Sequence, residues 1–177
     1  LISSLETPRL LLREMRESDA ESFFLLNEDP EVIKYTGDKE FLNKEDLRNF
    51  LLKYPSISYL KDGYGRWTCI NKATDEIIGW CGLRKQADGE IDLGYRFHKR
   101  FWNMGYATES GFYSLKTGFE TLNLDSIVAV ANRENIGSWK VMEKLKMQFS
   151  HHREDQDAIN KVYRITRADY LMIYQSL

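Results

Sequence analysis

The chain has 177 residues, 42% hydrophobic and 29% charged, which is enough for a full core without disulfide, metal or obligatory partner. Its 25 basic and 27 acidic residues leave a formal net charge of −2, so no global positive field draws it to nucleic acid or an anionic membrane. No apolar run reaches membrane-spanning length, and the N-terminus mixes charges where a secretory signal needs a continuous apolar segment. These features predict one cytoplasmic domain over residues 1–177, as a monomer or a homodimer, with neither nucleic acid nor membrane as a partner.

In chain order, residues 8–15 read as a strand, and Ser18-Asp19 offers an N-cap before Ala20, Phe23, Phe24 and Asn27, which have helical spacing. A second helix runs from Asn43 through Leu47, Phe50, Leu51 and Tyr54 and is expected to stop before Pro55. Both helices should cover one side of a sheet. From Gly65 the period changes: residues 67–71 and 77–83 read as strands joined by a turn at 72–75. After the Asp88-Gly89 turn, Ile91, Leu93, Tyr95 and Phe97 alternate with Asp92, Gly94, Arg96 and His98, as in a half-buried strand.

A glycine loop at Asn103-Met104-Gly105 then leads into a helix with Phe112, Leu115, Phe119 and Leu122 on its core-facing stripe. Residues 126–131 form a strand, 135–144 a helix, 147–151 a strand and 162–167 the last strand. The pattern is a meander followed by a βαβαβ unit, without repeats or low-complexity linkers. The fold class is α/β (α+β), with a mostly antiparallel sheet of six to seven strands and helices on both faces.

Cys69 and Cys81 lack metal or redox spacing and read as buried thiols, and His98, His151 and His152 make no ligand set, so no metal is expected. The junction of strand, glycine loop and helix at residues 96–107 is different. Unpaired amides at a helix start and the positive end of the helix dipole make an anion site, and Arg96, Lys99 and Arg100 add local positive charge.

The segment RFWNMGYATES resembles the acetyl-coenzyme A signature of the GNAT superfamily of N-acetyltransferases, with Arg100 and Gly105 at its two ends. Asn103 stands where that family has its first glycine; Asn is the non-glycine residue most tolerant of positive φ. A second block, VANRENIGSWKVMEKLKMQF, is similar to the family's next strand and helix, with Asn135 and Ser138 at the matching opening and Lys146 in place of a glycine at the helix end. The TPRLLLREM start, the DPEVIKYTG segment and the terminal TRADY resemble the branch that acetylates ribosomal-protein N-termini. The resemblance spans nearly the whole chain, with its discriminating content in residues 90–149.

This resemblance implies an acetyltransferase that uses acetyl-coenzyme A as acyl donor and a primary amine, on a peptide N-terminus or a small molecule, as acceptor, by direct attack in a ternary complex. It implies that the donor is held by Phe97, His98, Lys99, Arg100, Asn103, Met104, Gly105, Tyr106 and Ala107, with Asn135 and Ser138, its pantetheine arm running beside the strand like an added strand. It also implies that the strands holding residues 93–98 and 127–131 splay to leave room for the thioester. Asp92 is the candidate general base and Ser138 the candidate proton donor to the departing thiolate. Tyr35 is a candidate for the acceptor pocket, and Glu154, Asp155 and Asp157 are candidates to supply a base or attract a cationic acceptor. Neither cysteine has a visible activator, which disfavours a covalent acetyl-enzyme. The alternative is a non-catalytic coenzyme A-binding or regulatory module of the same fold.

Overall fold

The computed structural model describes residues 4–36, 41, 43–155 and 158–174. Among these residues eight strands form one sheet, in the order β1-β2-β3-β4-β5-β6-β8-β7. They are β1 (Ser4–Glu6), β2 (Leu10–Glu14), β3 (Arg66–Asn71), β4 (Glu76–Lys85), β5 (Ile91–Phe97), β6 (Ser126–Asn132), β7 (Gln148–Asp155) and β8 (Ala158–Thr166). The strand beyond the expected six to seven is β1, a three-residue edge piece too short to show an alternation. All neighbours are antiparallel except β5 and β6.

The βαβαβ expectation needs a correction. β8 inserts between β6 and β7, antiparallel to both, so the last two strands make a long hairpin that continues well past residue 151. Arg167 belongs to a C-terminal helix rather than to the last strand. The sequence pattern fades because all of β7 is exposed, which leaves no apolar face to read.

Among the described residues there are seven α-helices: α1 (Ala20–Glu28), α2 (Pro30–Ile33), α3 (Lys44–Ile57), α4 (Tyr59–Asp62), α5 (Tyr106–Lys116), α6 (Ile136–Lys144) and α7 (Arg167–Tyr174). Asn43 caps α3 by accepting from the Asp46 amide at 2.9 Å. Contrary to expectation, α3 does not stop before Pro55 but carries it in its last turn. The proline nitrogen cannot donate to the Leu51 carbonyl, so one i→i−4 bond is lost, and the helix runs on for only two more residues. A π-turn at Thr117–Thr121 extends α5, closed by the Leu122 amide bonding to the Thr117 carbonyl at 3.0 Å. Leu115 and Phe119 of the expected stripe are fully buried, while Phe112 and Leu122 pack on the core edge.

Alternation in β4 and β5 assigns the two faces. Cys81, Leu83, Leu93, Tyr95 and Phe97 lie under α5 and α6, as the contacts Cys81–Ser114 (3.6 Å) and Tyr95–Ser138 show. Trp80, Arg84, Asp92, Gly94 and Arg96 lie on the opposite face, toward α1, where Arg96 donates to Asn27. β5 thus exposes a polar edge to one layer and an apolar edge to the other. The α6 end closes as a Schellman turn: the Lys146 amide bonds to Glu143 O and the Met147 amide to Met142 O, with Lys146 itself at φ +60°. Lysine therefore occupies the left-handed position that usually goes to glycine, and the buried Met147 and Leu145 beside it hold the turn.

α1 is fastened to the sheet through Asp19. Instead of capping α1, its carboxylate takes a bidentate pair from Arg13 on β2 (2.7 and 2.8 Å), the Thr68 hydroxyl on β3 (2.6 Å) and the Arg16 amide (2.9 Å). Burial alone would raise its pKa, but these hydrogen bonds together outweigh it and hold the carboxyl below its ordinary 3.8. Asp19→Asn keeps the shape and removes the charge, leaving Arg13 buried without its partner, so it should cost roughly 3 kcal/mol at pH 7. Because the folded-state pKa is depressed, the wild type's advantage is present above 3.8 and disappears as pH falls through the lower folded-state value. Urea titrations of both proteins from pH 7 to pH 2 test this; a gap that stays constant across the range would show the charge to be irrelevant.

Candidate active site

Between β5 and β6 the sole register pair among the described residues is Asp92 with Val128. Beyond it β5 continues to Phe97, paired with β4 alone. The His98 amide bonds to Ile78 O on β4, so strand alternation turns the main-chain groups of Phe97 away from β4, into the gap. The Phe97 carbonyl there accepts from the Trp102 indole at 2.8 Å. The expected splay is therefore present, and one of its carbonyls is already engaged by the loop.

The loop after β5 has two left-handed residues, Asn103 at φ +62° and Gly105 at φ +83°. Asn103 thus takes the conformation for which the family uses glycine, at a cost that asparagine tolerates. Gly105 is the N-cap of α5 and has no side-chain cap. The first bond of that helix runs from the Glu109 amide to Gly105 O (2.9 Å), which leaves the amides of Tyr106, Ala107 and Thr108 without intrahelical acceptors. Arg9 straps the loop from outside: it donates to Met104 O (2.9 Å) and to Glu109 (2.6 Å), and its guanidinium lies 4.3 Å from the Tyr106 ring centre. Thr7 and the Arg9 amide also donate to Glu109, whose carboxyl is held below its usual range against the upward pull of burial.

A cavity of about 520 Å³ opens over this loop, lined by Trp102, Met104, Gly105 and Ala107 and by Lys140 and Lys144 from α6. The two lysines lie one turn apart on one face of α6. Of the expected cations, Lys99 lies 4.0 Å from Glu31, and Arg100 is paired with Glu76 and stacked on Phe101. The His98 ring turns toward α1, 3.2 Å from the Ser22 hydroxyl; burial and the nearby Arg100 charge lower its pKa.

A second cavity, about 610 Å³, lies on the α1 side and is lined by Tyr35, Trp80, Arg84, Asp92 and Gly94, among others. Tyr35, the sequence's candidate for an acceptor pocket, is one of its lining residues. Asp92 is buried, and its carboxyl is pushed up by burial, against Arg66 (Nη2 at 3.4 Å), Arg84 and Gln86, which pull it down. Asp155 instead pairs with Arg153 and Asn160 on the outer hairpin, and neither it nor Glu154 lines this cavity. Asp157 lies outside the described residues.

Tyr95, Asn135 and Ser138 line both cavities. Asn135 caps α6, accepting from the Ser138 amide at 3.2 Å. The Tyr95 phenol donates to Ser138 O at 2.7 Å, and the Ser138 hydroxyl donates back to the phenol at 3.2 Å. Burial pushes the Tyr95 phenol up, so it keeps its proton at any working pH. Asp92 and Ser138 are not brought into contact, because their contacts leave β5 on opposite faces. Tyr95, Arg9, Lys140 and Lys144 are not singled out by the sequence: Tyr95 reads as an ordinary apolar-face residue, and the partner of Arg9 lies 100 residues away.

The thiols play no part in this arrangement. Both are fully buried, and burial raises Cys69 and pushes Cys81 up to about 11, so neither is a nucleophile near neutral pH. Among the described residues no cluster of His, Cys, Asp or Glu could hold a metal, and no helix is long and apolar enough to cross a membrane.

Residues 9–148 match the family model described as the acetyltransferase (GNAT) domain. A Bacillus licheniformis protein named as the uncharacterized N-acetyltransferase p20 is 34% identical over 149 residues, which cover 83% of each chain. A GNAT-family acetyltransferase structure from Bacillus anthracis superposes with a TM-score of 0.80 at 26% identity, over 93% of this chain and 99% of that one. The ribosomal-protein-S5-alanine acetyltransferase of Vibrio fischeri also has a TM-score of 0.80, over 94% of this chain and 98% of that one, but at 16% identity it speaks for the fold alone. A splayed β5–β6 pair, a left-handed glycine loop feeding α5 and a family match across most of the sequence agree: the chain belongs to the GNAT family of acetyltransferases.

Proposed function

We propose that the chain transfers the acetyl group of acetyl-coenzyme A to a primary amine, by direct attack within a ternary complex. The observation that carries this reading is the meeting of two cavities at Tyr95, Asn135 and Ser138, with Thr36 and Arg96 also common to both linings. A donor and an acceptor can each enter by its own route and meet along this shared wall.

The loop cavity fits the donor. Three open amides at Tyr106, Ala107 and Thr108 and the α5 dipole suit a pyrophosphate, and Lys140 and Lys144 suit further phosphate charge. Lys99 and Arg100 contribute less, since each is tied to a glutamate. The edge of β5 beyond Asp92 suits an extended amide-bearing arm. Gly105→Asp forces a non-glycine residue to φ +83° with its Cβ 3.3 Å from the Arg9 guanidinium, and so disturbs the strapped loop that presents these amides. Wild type should gain about 3 kcal/mol of thermal stability at a hundredfold excess of acetyl-coenzyme A over its Kd, and the variant should gain almost none. Equal stabilisation of both, each compared with its own ligand-free melting point, would move the donor site elsewhere.

The attacking amine must be neutral. An α-amino group with pKa near 7.7–8.0 is already about a tenth free base at pH 7, whereas a lysine side chain is free base to less than about a thousandth. Asp92 faces the acceptor cavity and can take the amine's proton, directly or through water. Its carboxyl is raised above 3.8, and the ionised form is the base, so kcat/KM should rise with pH through that raised value. Asp92→Asn should remove this acid limb and lower kcat/KM by about a hundredfold. An unchanged pH profile would take Asp92 out of the role.

As the tetrahedral adduct collapses, the departing sulfur needs a proton or a hydrogen bond. Ser138 and Tyr95 stand together at the junction, and the phenol is a donor throughout the working range. Tyr95→Phe should lower kcat by tenfold or more with little change in the affinity for acetyl-coenzyme A. Loss of affinity with kcat preserved would mark Tyr95 as a donor-binding residue instead. Release of free thiol over a panel of amines tests transfer itself; cofactor binding without release for any amine would leave a coenzyme A-binding module.

A further inference from the structure

We infer that the acceptor amine carries an apolar group about the size of an aromatic ring, and that this group seats in a third cavity beside the α1-side one. The inference rests on the proposed transfer reaction and specifies its second substrate. The third cavity, about 220 Å³, lies between α3 and the sheet. It shares Asn27, Arg66, Trp80, Arg84 and Arg96 with the cavity that holds Asp92, so a molecule placed in one borders directly on the other.

Both cavities stand on the same face of the sheet. The register sets Trp80 opposite Arg96 and Thr68, and Gly82 opposite Gly94 and Arg66, so Asp92, Trp80 and Arg66 project to one side. Arg66 lies across Gly94, where an added Cβ would stand 2.8 Å from its Nη2. The Trp80 ring is flanked by guanidiniums, with Arg66 4.4 Å and Arg96 5.6 Å from its centre. A floor of indole and guanidinium planes is thus common to the two cavities, and both kinds of plane stack on an aromatic ring. From β5 to β3 is two strand spacings, about 10 Å. A short alkyl chain, or the side chain of one residue, spans that distance from an amine at Asp92.

The far wall is apolar. Leu47, Leu51 and Tyr54 of α3 are buried there with Phe50 and Ile57 beside them, and Phe41, Phe50 and Tyr54 follow one another with ring centres 5.1 and 5.3 Å apart. The hydroxyls of this wall are already engaged: Tyr54 accepts from the Arg66 amide at 3.0 Å, and Ser58 donates to Tyr64 O at 2.9 Å. Lys61, Arg84 and Lys85 also line the cavity but are exposed, so their charges belong to its mouth. An apolar cavity of about 150 Å³ accommodates benzene, and this one is larger. A wall built this way favours an apolar group, which leaves water on binding, over a polar one, which finds no partner there.

The test compares acceptors by free-thiol release at saturating acetyl-coenzyme A. Phenylbutylamine and phenethylamine are set against butylamine and ethylamine, and the peptide Gly-Phe-Ser-Gly against Gly-Ala-Ser-Gly and Gly-Gln-Ser-Gly; the two series separate a small amine from a peptide as the source of the ring. The ring-bearing member of at least one series should be favoured in kcat/KM by about tenfold or more. That ratio should fall severalfold in at least one of two variants. Ile57→Asp brings a charge to the wall at a position 52% exposed, where folding is not at risk, and Phe50→Ser removes the middle ring of the aromatic row. A smaller ratio in both series, or a ratio untouched in both variants, overturns the inference while leaving acetyl transfer standing. If no amine releases thiol, the transfer reading fails by itself, and the cavity is tested by thermal shifts with the same amines in the presence of coenzyme A. Greater stabilisation by the ring-bearing member of either series, reduced in Ile57→Asp or Phe50→Ser, supports it, and any other ranking refutes it.

Discussion

The site depends on one structural constraint, the parting of β5 from β6 after Asp92 and Val128. A strand that leaves its neighbour inside a sheet presents main-chain donors and acceptors that must be satisfied by something other than the next strand. Here the loop supplies part of the answer, through the Trp102 indole on the Phe97 carbonyl, and the remaining edge faces open space. The gap also brings the N-terminus of α6 against the middle of β5, which is why Ser138 meets Tyr95 at all. Closing the gap by full β5–β6 pairing would remove both cavities together.

Electrostatics divides the molecule at the same place. On one side, the start of α5 and the lysines of α6 line one cavity; on the other, arginines and Asp92 line the second. Between them stand a hydroxyl and a phenol that keep their protons. The alternation of one strand contributes to both linings: Asp92, Gly94 and Arg96 point one way, Leu93, Tyr95 and Phe97 the other. Rigid fastening keeps it so, through the Asp19 cluster for α1 and through Arg9 and Glu109 for the loop and α5.

Much of this was legible because the signals are local. Asn103 and Gly105 are two residues apart and both take the left-handed backbone that their identities permit. Asn135 caps the helix it precedes, and the alternation of residues 91–97 assigned the faces of β5. Where a second residue decides, the local signal misled or was silent. Asp19 looks like a helix cap but is claimed by Arg13 and Thr68 from two other strands. Pro55 looks like a stop, but α3 runs on for two residues beyond it. β7 shows no face because both of its faces are exposed.

The sequence alone determined the periodicity of the main elements, the anion-suited loop before α5 and the family, because each is written in residues close together along the chain. Tertiary structure alone decided the insertion of β8 between β6 and β7, the strap from Arg9 to Glu109, the shared position of Tyr95 and Ser138, and the gathering of arginines from β3, β4, β5 and β7 around one cavity. These partners are separated by tens of residues, and neither propensity nor spacing encodes which distant side chains a register will set side by side.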